Sequence, residues 1–264
     1  MIPGVDAYDT LSGAALAAAG RRFAGRYISG TNPLRMPEAA DLTEHGIGIL
    51  ALFEQGPAAA LGGASSGRQD GYTALRGAML GSRRTVMPDG AAIVFAVDFD
   101  PVAPADRSAC LEYWRAAGKF IRPRGFLLGG YGPEDLINGA RNESLLDVSM
   151  VAGGWRSGTI RSGVQLVQSA VQVVIGGATC DELEATTSHF GAWNLGGLWP
   201  PVLAQEGIMR IARSSTGAAF VVDGSRRMPV DGQHWPAIAA QQLPPVEMSD
   251  VDLDLLELVP WGTL

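Results

Sequence analysis

The sequence predicts an α/β fold: a modified TIM-like barrel of five βα units followed by three helix-poor strands, with a small C-terminal β appendage. Three observations predict it. Apolar runs of strand length alternate with helical patterns over the first half of the chain. Those runs are continuous rather than alternating, as strands buried on both faces require. Three further runs, VSMVAGGW, GVQLVQS and VQVVIGG, then follow with connectors too short for helices. A doubly wound open sheet would need helices on both faces throughout. No GxGxxG opens a helix, and GGASSGR lacks the Lys-Ser/Thr end of a phosphate loop.

IPGVD reads as the first strand and LSGAALAAAG as the first helix, with Thr10 or Ser12 as its N-cap. FAGRYIS is the second strand. PEAADLTEHG follows as a helix, with Pro37 suited to its first turn and Gly46 to its end. IGILALFE, AAIVFAVDFD and GFLLGGYG supply the next three strands. The helical stretches between and after them lie near SSGRQDGYTALRGAMLG, RSACLEYWRAAGKFI and PEDLINGA.

From about residue 188 the composition changes. HFGAWNLGGLWPP is a Gly-, Pro- and Trp-rich connector, and GIMRIARSSTGAAFVVDGSRRMPVDG reads as two or three short antiparallel strands with turns at SSTG and DGS. The predicted domains are therefore a barrel over 1–188 and a linker with a small β-rich segment over 189–264. Near the end, Val251, Leu253 and Leu255 alternate with Asp250, Asp252 and Asp254, the period of a half-buried strand. Such a strand completes the small module or pairs with a neighbouring chain, which makes self-association through this segment an expectation.

A formal net charge of −7 excludes nucleic acid as a main partner, because phosphate binding needs a basic face. No apolar stretch approaches the roughly 20 residues of a membrane span, so no membrane partner is expected. MIPGVD opens the sequence without a basic and then apolar leader, and no secretory signal is read there. Cys110 and Cys180 read as free thiols. His45, His189 and His234 lack ligand spacing, so neither a metal nor a cofactor is expected.

Active sites of (β/α) barrels form at the C-terminal ends of the strands. Those ends carry Asp6, Tyr27, Glu54, Asp98 with Asp100, Tyr131, Trp155 and Gln168, and Asp181 follows the last apolar run. On the fourth strand a side-chain period of two turns Ile93, Phe95, Val97 and Phe99 one way and Val94, Ala96, Asp98 and Asp100 the other. Acids on the inner face need an open mouth, because a charge is almost never buried without a partner. Leu50, Leu52 and Glu54 share a face in the same manner. Paired carboxylates are the usual equipment for glycoside hydrolysis, one protonated and one ionised. Crowding raises carboxyl pKa values and so supplies the protonated member. Tyr27, Tyr131 and Trp155 offer flat surfaces and hydroxyls for sugar rings. Asp9, Glu38, Asp41 and Glu44 read as solvated helix positions.

The order GVD, RY, FE, FAVDFD, GGYG, a Trp-ended strand, LVQ and a late Asp resembles the family 25 glycoside hydrolases, the lysozyme-type muramidases. Still closer is the resemblance to a glycoside-hydrolase-like domain family of actinobacteria and their phages. It implies a barrel of five βα units and three strands, and cell-wall glycan as the ligand. It also implies that Asp6 is the first-strand acid contacting the reacting centre and Asp98 the first acid of a D-x-E pair. Asp100 stands at the position of the family's catalytic Glu, one methylene shorter. Either the site is reshaped around Asp100 with Glu54 contributing, or the domain binds glycan without cleaving it. AAFVVDGSRRMPV resembles a short β module of actinobacteriophage tail and lysis proteins. That likeness implies a phage protein with tail proteins as partners. It is expected in the virion, or in the host cytoplasm before lysis, and acts at the cell wall.

Overall fold

A computed structural model of the chain describes residues 1–80, 82, 86–155 and 163–199, and the strand segments 210–213, 219–223, 226–230, 245–247 and 257–258. Six strands form a parallel frame in chain order: β1 (Ile2–Ala7), β2 (Phe23–Tyr27), β3 (Gly48–Phe53), β4 (Ala92–Ala96), β5 (Leu127–Gly132) and β6 (Val148–Ala152). The connecting helices are α1 (Gly13–Ala18), α2 (Met36–Glu44), α3 (Gly63–Gly77), α4 (Pro104–Ile121) and α5 (Glu134–Asn142). β7 (Leu166–Ile175) joins β6 in parallel. β8 (Ala178–Ala185) returns antiparallel and pairs antiparallel with β1, which closes an eight-stranded ring. The predicted barrel is the observed one.

Local sequence explains the elements. Ser12 caps α1 by accepting from the Ala15 N–H, which satisfies one of the orphan donors of the first turn. Pro37 sits in the first turn of α2, where its missing N–H costs nothing. Trp114 on α4 donates its indole N–H to the Phe95 carbonyl at 3.0 Å and docks that helix on β4.

The last strands differ from the sequence expectation. GVQLVQS and VQVVIGG do not form two strands. They form one, β7, with a bulge between Gln168 and Gln172, and the eighth strand is ATCDELEA. The reason is burial. Only part of the outer face of β8 is apolar: Ala178 and Cys180 pack into the helix-side core, whereas Glu182 pairs with Arg21 and Glu184 is exposed, while Leu183 and Ala185 face the axis. A strand only partly covered on one face has no need of a continuous apolar run. Gly176 and Gly177 make the turn before it with φ of 61° and 91°, a conformation that suits glycine and the twist of a tight hairpin.

Two apolar layers hold the barrel. Phe23, Leu50, Val94, Met150, Leu166 and Leu183 fill the axis. Ile49, Phe53, Phe95 and Leu128 pack outward against Leu42, Trp114 and Ile121 of the helices. Cys110 and Cys180 are buried and unpaired.

The first compact unit runs from Met1 to Trp199 and takes in the stretch after residue 188. The Trp-rich stretch is a plug, not a linker. Phe190 packs on Phe23 with ring centroids 4.8 Å apart, and Trp199 meets Phe190 edge-on. Trp199 donates its indole N–H to the Gly46 carbonyl at 3.1 Å, and the Ala92 N–H donates to Gly191 at 2.8 Å. Phe23 and Ala92 are the first residues of β2 and β4, so the plug closes the N-terminal end of the barrel. β9 (Trp193–Asn194) and β10 (Gly197–Leu198) extend the sheet beside β3.

The second unit, Pro200–Leu264, contains a five-stranded sheet of β11 (Arg210–Arg213), β12 (Ala219–Asp223), β13 (Arg226–Val230), β14 (Pro245–Glu247) and β15 (Glu257–Leu258). β11, β12 and β13 pair antiparallel, as the turn signals predict. The alternating stretch over Val251, Leu253 and Leu255 lies outside the described residues.

Candidate active site

Opposite the plug, at the C-terminal strand ends, lies a cavity of about 130 Å³. Four carboxylates line it: Asp6 and Asp181 on β1 and β8, and Glu54 and Asp98 just past the ends of β3 and β4. Tyr27, Tyr131 and Gln168 complete its polar wall, over a floor of Leu52, Val94, Ala96 and Met150. Among the described residues no lysine, arginine or histidine lines it.

Asp6 is 5% exposed. Its register partner on β2 is Gly25, and a Cβ there would stand 2.8 Å from the Asp6 Cβ. Glycine thus gives the carboxyl its inward space. On the other side Asp6 faces Asp181 across the β1–β8 pairing. Gln168 spans the two acids. Its Nε2 lies 3.2 and 3.3 Å from the Asp6 oxygens and 3.5 Å from Asp181 Oδ2. The Tyr131 hydroxyl donates to Gln168 Oε1 at 2.6 Å, which turns the amide N–H groups toward the carboxylates.

The crowding changes the acids. Burial pushes the Asp6 carboxyl up to about 7, with Asp181 and Asp98 adding to the rise and the Gln168 hydrogen bond opposing it. Half-buried Glu54 is raised by burial and then by Asp98. Asp98 stands at the rim, exposed as a residue, and partial burial of its carboxyl, then Asp181, raise it too. The Tyr27 and Tyr131 hydroxyls are raised by burial and then by the neighbouring acids, so both remain neutral donors. The site can therefore hold protonated and ionised carboxyls together near neutrality.

A wider cleft of about 450 Å³ adjoins the cavity, sharing Asp98, Tyr131, Gln168 and Asp181 with it. Trp155, 37% exposed, lies along this cleft. Asp100 is not brought to either space. β4 ends at Ala96, so the period of two that turned Asp100 inward no longer operates at that position. Of the nine predicted site residues, seven line the cavity, Trp155 lines the cleft, and Asp100 stands exposed outside both.

Glu38, read as solvated from the sequence, is buried. It pairs with the fully buried Arg26, Oε1 to Nε at 2.6 Å and Oε2 to Nη2 at 3.1 Å. Arg26 Nη1 also donates to the carbonyls of Ala7 and Tyr8, at 2.7 and 3.0 Å. This bidentate pair fixes the loop after Asp6 and the strand end before Tyr27. The available signal was Arg26 itself. An arginine alternating with an inward tyrosine must point to the helix layer and needs an acid there.

The family model for the Rv2525c-like glycoside hydrolase-like domain matches residues 14–174. The chain belongs to this family. The match runs from α1 to β7, so Asp6 and Asp181 lie on the two strands that complete the ring beyond it. Among solved structures, the Tat-secreted protein Rv2525c of Mycobacterium tuberculosis in complex with L-tartrate has a TM-score of 0.65 at 22% identity, covering 72% of this chain and 98% of that one. An uncharacterised B. stearothermophilus protein gives 0.53 at 17%, covering 70% and 96%. The bacterial lysozyme from Streptomyces coelicolor gives 0.44 at 13%, covering 70% and 92%. The first two share the Rv2525c-like barrel fold. No curated protein matches the sequence.

Proposed function

We propose that this glycoside-hydrolase-like barrel hydrolyses cell-wall glycan in the manner of a muramidase. The observation that carries the reading is the convergence of Asp6, Glu54, Asp98 and Asp181 on one cavity that, among the described residues, no cationic side chain lines. Glu54, whose carboxyl burial and then Asp98 push above the usual carboxylate range, donates to the leaving glycosidic oxygen. Asp98, at the open rim, is the ionised partner that meets positive charge developing on the sugar. Asp6, oriented by Gln168 and Tyr131, holds the substrate from the cavity wall. Neutral Tyr27 and Tyr131 donate to sugar hydroxyls, and Trp155 gives a flat face to the next ring along the cleft.

A second reading rests on a specific observation. Asp100, at the position of the family 25 catalytic acid, stands outside the cavity, which favours a barrel that binds glycan without cutting it. The resemblance of AAFVVDGSRRMPV to phage tail modules supports a phage-encoded virion component acting at the wall. Incubation with actinobacterial cell walls separates the two readings. Release of reducing ends by wild type and not by Glu54→Gln supports hydrolysis. Co-sedimentation with walls without release supports binding, and failure of both overturns both.

A further inference from the structure

The acidic cavity has a basic neighbour. A pocket of about 290 Å³ lies beside it, walled by Ser29, Gln55 and Thr73 over Leu34, with Arg35 and Arg76 contributing the charge. Among the described residues no carboxylate lines this pocket. Among the described residues the side chains of Arg21, Arg26, Arg115 and Arg122 are held in ion pairs, whereas the guanidinium groups of Arg35 and Arg76 make neither an ion pair nor a hydrogen bond. Both are exposed.

The fold brings the two arginines together by a close approach. Arg35 precedes α2 in extended conformation, and Arg76 lies in the last turn of α3. Gly77, next to Arg76, lets that helix end abut the end of β2. A Cβ at Gly77 would come within 2.4 Å of the Ile28 carbonyl oxygen. The pocket's edge adjoins residues of the acid cavity through the chain and one hydrogen bond. Gln55 follows Glu54 in the chain, and the Ser29 hydroxyl donates to the Glu54 carbonyl at 3.3 Å.

We infer that the Arg35–Arg76 pocket is an anion subsite that receives a carboxylate carried by the glycan, such as the end of a peptide substituent. This inference rests on the glycan reading of the acid cavity. A glycan bearing carboxylates is repelled by the four acids that line the cavity. Two free guanidinium groups beside them offset that repulsion. They also favour a carboxylate by geometry, because the arginine fork donates two parallel N–H bonds to it.

The test uses the full chain and three probes: a soluble peptidoglycan fragment with free peptide carboxylates, the same fragment with those carboxylates amidated, and inorganic phosphate. Wild type should bind the free form about tenfold more tightly than the amidated form. The double variant Arg35→Gln/Arg76→Gln should lose that preference and still bind the amidated form as wild type does. Equal wild-type affinity for both fragments, or a preference that survives in the double variant, overturns the subsite and leaves the glycan reading intact. Phosphate binding at these arginines without carboxylate preference reassigns the pocket and overturns it too. If wild type binds neither fragment, the glycan reading fails and the subsite with it.

Discussion

Gln168 holds Asp6 through both carboxylate oxygens, at 3.2 and 3.3 Å, while the Tyr131 hydroxyl fixes the other end of the amide. Within a cavity of acids this is the one neighbouring side chain that lowers the Asp6 pKa, since burial, Asp181 and Asp98 all raise it. Gln168→Leu should move the Asp6 titration midpoint upward from about 7. Carboxyl carbon NMR reads it directly, and an unmoved midpoint would mean that the amide does not donate to the ionised acid.

The same carboxyl makes stability depend on pH. Its folded pKa of about 7 lies above the ordinary 3.8. Between about pH 4 and pH 7 the native state therefore binds more protons than the unfolded chain, and stability falls as pH rises. The penalty is absent below that window and complete above it. Asp6→Asn should raise Tm over wild type by an amount that grows across the window and then levels. A Tm difference that is constant with pH would show that Asp6 titrates normally.

Arg26 and Glu38 are both buried, so removing one leaves the other uncompensated. Arg26→Met or Glu38→Leu alone should cost about 3–5 kcal/mol, and the double variant should recover much of the loss. Denaturant titration of the four proteins checks this. Additive losses in the double variant would contradict the pairing.

If the cavity hydrolyses glycan, Asp98→Asn and Glu54→Gln should each lower reducing-end release by about 10²-fold or more. Asp100→Asn should stay close to wild type, and Asp100→Glu should bring no gain, because the residue lines neither cavity nor cleft. A large loss on Asp100→Asn would return that residue to the mechanism.

Trp199 is buried against the N-terminal end of the barrel. Trp199→Ala should cost about 3–5 kcal/mol, as other large-to-small core changes do. A chain ending at Ser188 should melt well below one ending at Trp199. Equal melting of the two would show that residues 189–199 add nothing to the stability of the barrel.

Much of the fold was legible because burial leaves a pattern. β1 to β6 are covered on one face by the axis and on the other by helices, and their apolar runs are continuous. β8 was missed because Thr179, Asp181, Glu182 and Glu184 break its apolar run, although Cys180 and Leu183 are buried on its two faces. The acids of the cavity were legible as strand-end carboxylates, which have few other uses in such numbers. Asp100 was misplaced because side-chain alternation lasts only while a strand does, and β4 stops at Ala96.

By itself the sequence determined the closed α/β barrel, the end at which its acids gather, and the set of polar residues from which the site is drawn. Each of these follows from which face of a segment meets water, and that is written locally. Only the tertiary structure decided that Asp6 meets Asp181 across β1 and β8, that Gln168 bridges them, that Arg26 takes Glu38, and that Trp199 plugs the barrel. Those pairings depend on how a closed ring sets its register and brings distant segments together. A buried charge or a large ring is stable only where the whole fold supplies its partner.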